Sequence, residues 1–194
     1  SEQAELLLLL PAHARRSWIR LLPPDEVADL VQHAPDEERA GLLTLLDPVT
    51  RNEVGGLLAY AEDDAGGLMT PHYARLRPEM TISEAISYLR RFAREHRDST
   101  YYAYVLDGEQ RLVGTVSLRE LFAGEPHQPV GDIMKTDLIT VAEEQDQEAV
   151  SRLFATHHLM ALPVVDPSGR MKGIVTIDDI VDVVQEEATE DIQK

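Results

Sequence analysis

Apolar residues in the first third of the chain come in short clusters punctuated by proline. Pro11, Pro23–Pro24, Pro35 and Pro48 fall about every twelve residues. Leu9-Leu10, Leu21-Leu22 and Leu45-Leu46-Asp47 stand just before three of them, and Asp25-Glu26 and Asp36-Glu37-Glu38 follow two. Proline fits the first turn of a helix, and acids suit its positive end. The pattern predicts a stack of short helices over residues 1–62, each burying an apolar face on its neighbours, with Trp18 and the leucine stripes as core. A helix over residues 50–61 closes the stack. The first unit shows no cap and Ser1 stands where a Met would, so the chain reads as a fragment whose earlier repeats are missing.

Glu62-Asp63-Asp64-Ala65-Gly66-Gly67 interrupts this pattern. Acids followed by two glycines end a helix and turn the chain, which places a hinge at residues 63–67. Beyond it the chain repeats itself. Leu112-Val-Gly-Thr-Val-Ser-Leu-Arg-Glu-Leu121 matches Met171-Lys-Gly-Ile-Val-Thr-Ile-Asp-Asp-Ile180, 59 residues later. Tyr104-Val-Leu-Asp107 matches Pro163-Val-Val-Asp166 at the same offset, and Leu68-Met-Thr-Pro71 is echoed by Ile133-Met-Lys-Thr136. Each copy has a lead-in segment (72–77; 137–141), a helix (82–94; 146–157), a buried strand (101–106; 161–165), a second strand reached through Gly108 or Ser168-Gly169, and a helix opening at Ser117 or Thr176. The order is β-α-β-β-α, twice.

The last stretch, from Gly173, turns from strand to helix. Ile174, Val175 and Ile177 are β-branched. Thr176 is placed to cap the helix with Asp179 at the third helical position, a capping box in which Asp replaces Glu or Gln. Ile180, Val183 and Val184 make one apolar stripe. Asp178, Asp179, Asp182, Glu186, Glu187, Glu190 and Asp191 occupy the other faces, with no basic residue before Lys194.

Net charge narrows the partners. The chain carries 35 acidic and 18 basic residues, a balance of −17, which argues against nucleic acid and anionic lipid and favours cations or plain solubility. It has no Cys, hence no disulfide and no thiolate metal site. The longest aliphatic run, Leu6 to Leu10, is far too short to span a bilayer, and no signal peptide precedes it. His157-His158 and the other five histidines show no ligand spacing, and His157 and His158 are expected at the surface. No nucleophile–base set or phosphate loop suggests an enzyme.

The Met-Thr-Pro lead-in, the Leu-Pro-Val-Val-Asp strand and the Gly-apolar-apolar-Thr/Ser-x-x-Asp/Glu turn, present twice, resemble a pair of CBS modules. With the proline-punctuated helices, Glu-Asp-Asp-Ala-Gly-Gly-Leu-Met-Thr-Pro and Glu-Glu-Ala-Thr-Glu-Asp-Ile, essentially the whole chain resembles the cytosolic part of MgtE-family magnesium transporters. The resemblance implies an α+β chain: a truncated superhelical N domain (1–62), CBS units at 68–124 and 125–185, and at 186–194 the start of a helix leading to a transmembrane pore. It further implies Mg2+ sensing on the cytoplasmic side of the cell membrane and homodimerisation through the CBS helices.

Several residue groups carry the chemistry, each with a plainer alternative. Asp179 and Asp182 share a helix face, where acids also serve as N-terminal caps. Asp25 and Asp29 are four apart on one helix, read as having no basic partner at that spacing, and also fit a solvated surface. Glu187, Glu190 and Asp191 cluster on one face or form a frayed acidic tail. The resemblance implies Mg2+ ligands at all of these and at the Gly67 carbonyl. Mg2+ suits such sets, because it keeps several waters and asks for one or two carboxylates. Tyr102, Arg119 and Glu120 resemble an adenosine cleft, with Glu120 in place of the commoner Asp, or they line a cleft without ligand. ATP is thus a second candidate cofactor, and an adenine-nucleotide-sensing CBS module is the rival reading.

Overall fold

Prolines do mark the helix starts. The structure is a computed structural model that describes residues 2–96, 102–181 and 183. It opens with α1 (Glu2–Leu9), α2 (Ala12–Ile19), α3 (Pro24–His33), α4 (Asp36–Leu45) and α5 (Pro48–Leu57). Pro11, Pro23 and Pro35 stand in extended backbone as the residues before helices, and Pro24 and Pro48 lie in first turns, where a missing N–H costs nothing. Helix α5 begins earlier than the 50–61 expectation because Asp47 caps it, accepting from the Val49 and Thr50 N–H groups at 3.0 and 3.1 Å. It stops at Leu57 just after Gly55-Gly56, a pair that favours helix poorly.

The buried face of this segment comes from Ile19, Val27, Leu30, Val31, Leu42, Leu46, Val54 and Leu57. Trp18 is not core: it is 42% exposed, and Leu9 and Leu21 are exposed as well. Helix α2 buries only Ile19, so its polar sequence leaves Trp18 outside.

A single turn, α6 (Ala65–Leu68), leads into two three-stranded sheets. In the first, β1 (Ala74–Leu76) runs parallel to β2 (Tyr102–Leu106), which pairs antiparallel with β3 (Leu112–Ser117). In the second, β4 (Val141–Ala142), β5 (Ala161–Val165) and β6 (Met171–Thr176) repeat that order. The crossovers are α7 (Ile82–Glu95) and α9 (Gln147–His157), and α8 (Leu118–Ala123) follows β3. Residues 177–181 are helical after β6. This is the expected β-α-β-β-α, twice. Thr81/Glu84 and Ser117/Glu120 close reciprocal capping boxes on α7 and α8. The hairpin tips meet each other: Leu112 N–H donates to Gly169 O and Met171 N–H to Gln110 O, both at 3.1 Å. Gly169 and Gln110, one repeat apart, both have positive φ, 77° and 66°.

One apolar core runs from the helical segment into the second β-α-β-β-α unit, joining Leu30, Val54 and Ala65 to Val141, Phe154, Leu162 and Ile180. The first unit has its own core around Leu76, Ile82, Val105 and Val116. A small cluster of Tyr73, Tyr104, Leu106, Met171 and Ile174 joins the two sheets. Residues 63–67 are tied to the second unit: Ala65 N–H donates to Gln145 O, Gly66 N–H to Glu143 O, and Gln147 N–H to Asp63 O, at 2.7–2.8 Å. Among the described residues no helix is long and apolar enough to cross a membrane.

Candidate functional site

The shared core brings Asp25, in the first turn of α3, beside Asp179, at the start of the helix after β6. Asp179 does cap that helix: its Oδ2 accepts from both the N–H and the hydroxyl of Thr176 at 2.7 Å. It also does more. Burial pushes its carboxyl up to about 7, the Thr176 bonds pull it back, and the charges of Asp25 and Asp178 push it further up. Burial likewise pushes Asp25 up to about 6; hydrogen bonds from its own backbone N–H and from Thr70 lower it, and Glu26 raises it. Among the described residues neither carboxyl forms an ion pair with Lys or Arg. Asp25 Oδ1 is fully buried and accepts no hydrogen bond. A fold that buries such an oxygen next to a second carboxyl leaves a site short of positive charge.

That donor set fits a hydrated Mg2+, which takes one or two carboxylates and fills its remaining positions with water. Among the described residues no three His, Asp or Glu side chains converge as a metal cluster.

The other expected ligands fall differently. Asp29 is exposed on α3 and does have a basic partner, contrary to the reading from sequence: His33 Nδ1, one turn on, lies 3.1 Å from its Oδ1. Gly67 lies in α6, which packs against α3. Its hydrogen is required by the neighbouring backbone, since an added Cβ would collide with the Ala61 carbonyl. Asp182, Glu187, Glu190 and Asp191 lie outside the described residues.

In the first unit the polar contacts gather around Glu120, with one member that the sequence reading missed. Glu120 Oε2 accepts from Ser117 N–H at 2.8 Å and from the Ser117 hydroxyl at 2.9 Å, while Oε1 pairs with Lys135 Nζ at 2.9 Å. Burial pushes the Glu120 carboxyl up, but the Ser117 and Lys135 bonds outweigh it and hold it below the usual range. Tyr102 and Arg119 both lie close enough to Lys135 to influence its charge. An aromatic ring, two cations and an acid thus lie within electrostatic reach of one another. The signal for Lys135 was available in the Ile-Met-Lys-Thr echo of Leu-Met-Thr-Pro.

Two polar contacts from the helical segment were not legible at all. Tyr60 donates its hydroxyl to Glu143 Oε2 at 2.8 Å, and Glu53 lies 3.3 Å from the His72 ring. Burial, and then the Glu143 carboxylate, push the Tyr60 phenol up to about 12.

Two β-α-β-β-α units of this geometry define a CBS pair, and the chain matches the CBS domain family over residues 65–124 and 130–186. Residues 1–63 match the MgtE intracellular N domain. The chain belongs to the MgtE family, as an N domain followed by tandem CBS domains. It is 47% identical over 173 residues to the magnesium transporter MgtE of Thermus thermophilus, an alignment covering 88% of this chain and 38% of that protein. It thus spans well under half of that relative's length. Among solved structures, the cytosolic domain of the Mg2+ channel MgtE in complex with ATP superposes with a TM-score of 0.89 at 44% identity, covering 94% of this chain and 74% of the other. The soluble part of a magnesium transporter gives 0.89 at 30%, covering 95% and 72%.

Proposed function

We propose that the chain is the Mg2+-sensing regulatory region of a magnesium transporter, placed on the cytoplasmic side of the cell membrane and acting on a transmembrane pore in the same full-length protein. One observation carries the reading. Asp25 from the helical segment and Asp179 from the second CBS unit lie together, largely withdrawn from water, and among the described residues no Lys or Arg pairs with either. Mg2+ neutralises the pair and favours the arrangement in which the segments touch; without it the carboxylates repel and the segments separate. Asp29, Gly67 and Asp182 are read as further ligands of the same ion region, and Glu187, Glu190 and Asp191 as ligands of another. The role is regulatory, not catalytic.

A homodimer through the CBS helices is part of this reading. It is supported by exposed apolar side chains one repeat apart, Phe122 at 68% and Val181 at 47%. Phe122→Asp is expected to shift the chain to monomer in sedimentation equilibrium.

Thermal melts test the metal reading. A ligand that binds only the folded, closed form raises the melting temperature with its concentration. Millimolar Mg2+ is expected to raise it well beyond Na+ at matched ionic strength. Equal effects would reduce the response to screening of a −17 chain and remove the reading.

The second reading, adenine-nucleotide sensing, is favoured by the cleft of Tyr102, Arg119, Glu120 and Lys135 and by a similar domain having been solved with ATP. Calorimetry with ATP, on the wild type and on Tyr102→Ala, checks it; no heat with the wild type would exclude it.

A further inference from the structure

The two CBS units make the same lead-in contact with one difference in charge. In one, Lys135 exchanges two backbone hydrogen bonds with Thr115, both 2.9 Å. In the other, Thr70 exchanges two with Ile174, at 2.8 and 3.0 Å. Thr115 and Ile174 are one repeat apart, as are Ser117 and Thr176, and Glu120 and Asp179. The methionines before them, Met134 and Met69, press on Gly114 and Gly173, where a Cβ would have no room. Thr70 and Lys135 therefore hold the same place relative to the acid that caps the adjoining helix.

The outcome at the two places differs. Lys135 sets its ammonium 2.9 Å from Glu120, and that acid is neutralised from within the chain. Thr70 is buried, 7% exposed, and has only a hydroxyl to offer. Among the described residues no Lys or Arg forms an ion pair with Asp25 or Asp179, and the Thr70 hydroxyl offsets only a fraction of the rise at Asp25.

We propose that Thr70 makes the Asp25/Asp179 site depend on a soluble divalent cation, because the position that carries a built-in ammonium in the first cleft carries none in the second. Thr70 is thus a positioning and specificity residue for the site and not itself a ligand. The inference rests on the reading of Asp25 and Asp179 as a cation site.

The test is the melting temperature of the chain as a function of MgCl2 at constant ionic strength. Thr70→Lys, whose stem can follow the apolar wall toward the carboxylates, is expected to raise the metal-free melting temperature toward the Mg2+-saturated wild-type value. It should also remove at least half of the wild-type Mg2+ increment. Thr44→Lys adds the same charge at an exposed site on α4 and should leave the increment intact. Thr70→Asp fits the existing space and adds negative charge to the site. It is expected to lower the half-effective Mg2+ concentration by about tenfold. This variant decides the matter should Thr70→Lys fail to fold by far-UV circular dichroism. A folded Thr70→Lys with the full wild-type increment, a Thr70→Asp with an unchanged Mg2+ requirement, or an equal loss in Thr44→Lys would each overturn the proposal while leaving the cation site standing. A wild type that does not respond to Mg2+ at all would overturn the site itself, and the proposal with it.

Discussion

Asp179→Asn separates the capping role of Asp179 from its electrostatic one. The amide oxygen can still accept both Thr176 bonds, so the box survives, while the negative charge beside Asp25 disappears. Moving a carboxyl from 3.8 to about 7 corresponds, at 1.36 kcal/mol per unit, to on the order of 4 kcal/mol of stability withheld once the group ionises. Weakening the charge-assisted cap costs about 1 kcal/mol. The metal-free variant at high pH should therefore be more stable than wild type by about 3 kcal/mol, a rise in melting temperature of about 6–12 °C for a chain of this size. Its Mg2+ increment should shrink, because the cation has lost half of what it neutralised. Asp25→Asn should act in the same direction but more weakly, since its shift is smaller. The double variant should gain less than the sum, because the mutual repulsion would otherwise be counted twice. The assay is a thermal melt in chelator and in millimolar Mg2+. An Asp179→Asn variant that is less stable without metal and keeps the full Mg2+ increment would refute the reasoning and leave Asp179 a helix cap alone.

Other consequences are as direct. Asp25 and Asp179 bind protons more tightly folded than unfolded, so their contribution to metal-free stability is full at low pH and is lost as pH rises from the unfolded value through about 6 and about 7. Melts across about pH 5 to pH 8 should show that fall, with an Mg2+ increment that grows over the same range. Tyr60→Phe removes the hydroxyl that Glu143 accepts and should cost about 1–2 kcal/mol in urea unfolding, with little change in Mg2+ response. Gln110→Gly relieves a positive φ at the position where the other unit already has Gly169; it should stabilise by about 1 kcal/mol, measured the same way.

The local architecture was legible in the sequence because it rests on short-range rules. Proline spacing located the first helices, since a missing N–H is tolerated only at a helix start. The 59-residue repeat set the order of strands and helices in both CBS units, and Thr176 with Asp179 announced a cap that is present at 2.7 Å. Local rules also misled. Trp18 counted as core by its composition, but burial is decided by which helix face meets a neighbour, and α2 offers only Ile19. Asp29 was read as unpartnered, although His33 stands one turn away.

What lies between distant segments only the tertiary structure decided. Asp25 and Asp179 are ordinary acids in sequence, each with a local reason to sit in a first helical turn. Their charges act on each other only because one apolar core holds the helical segment against the second CBS unit, and it does so through residues such as Leu30, Val54, Phe154 and Ile180. The difference between the two clefts is of the same kind. Thr70 and Lys135 are visible in the sequence as echoing positions. That one sits beside an unmet pair of carboxyls and the other on a neutralised acid follows from desolvation and through-space charge, which depend on distance in the fold and not on spacing along the chain.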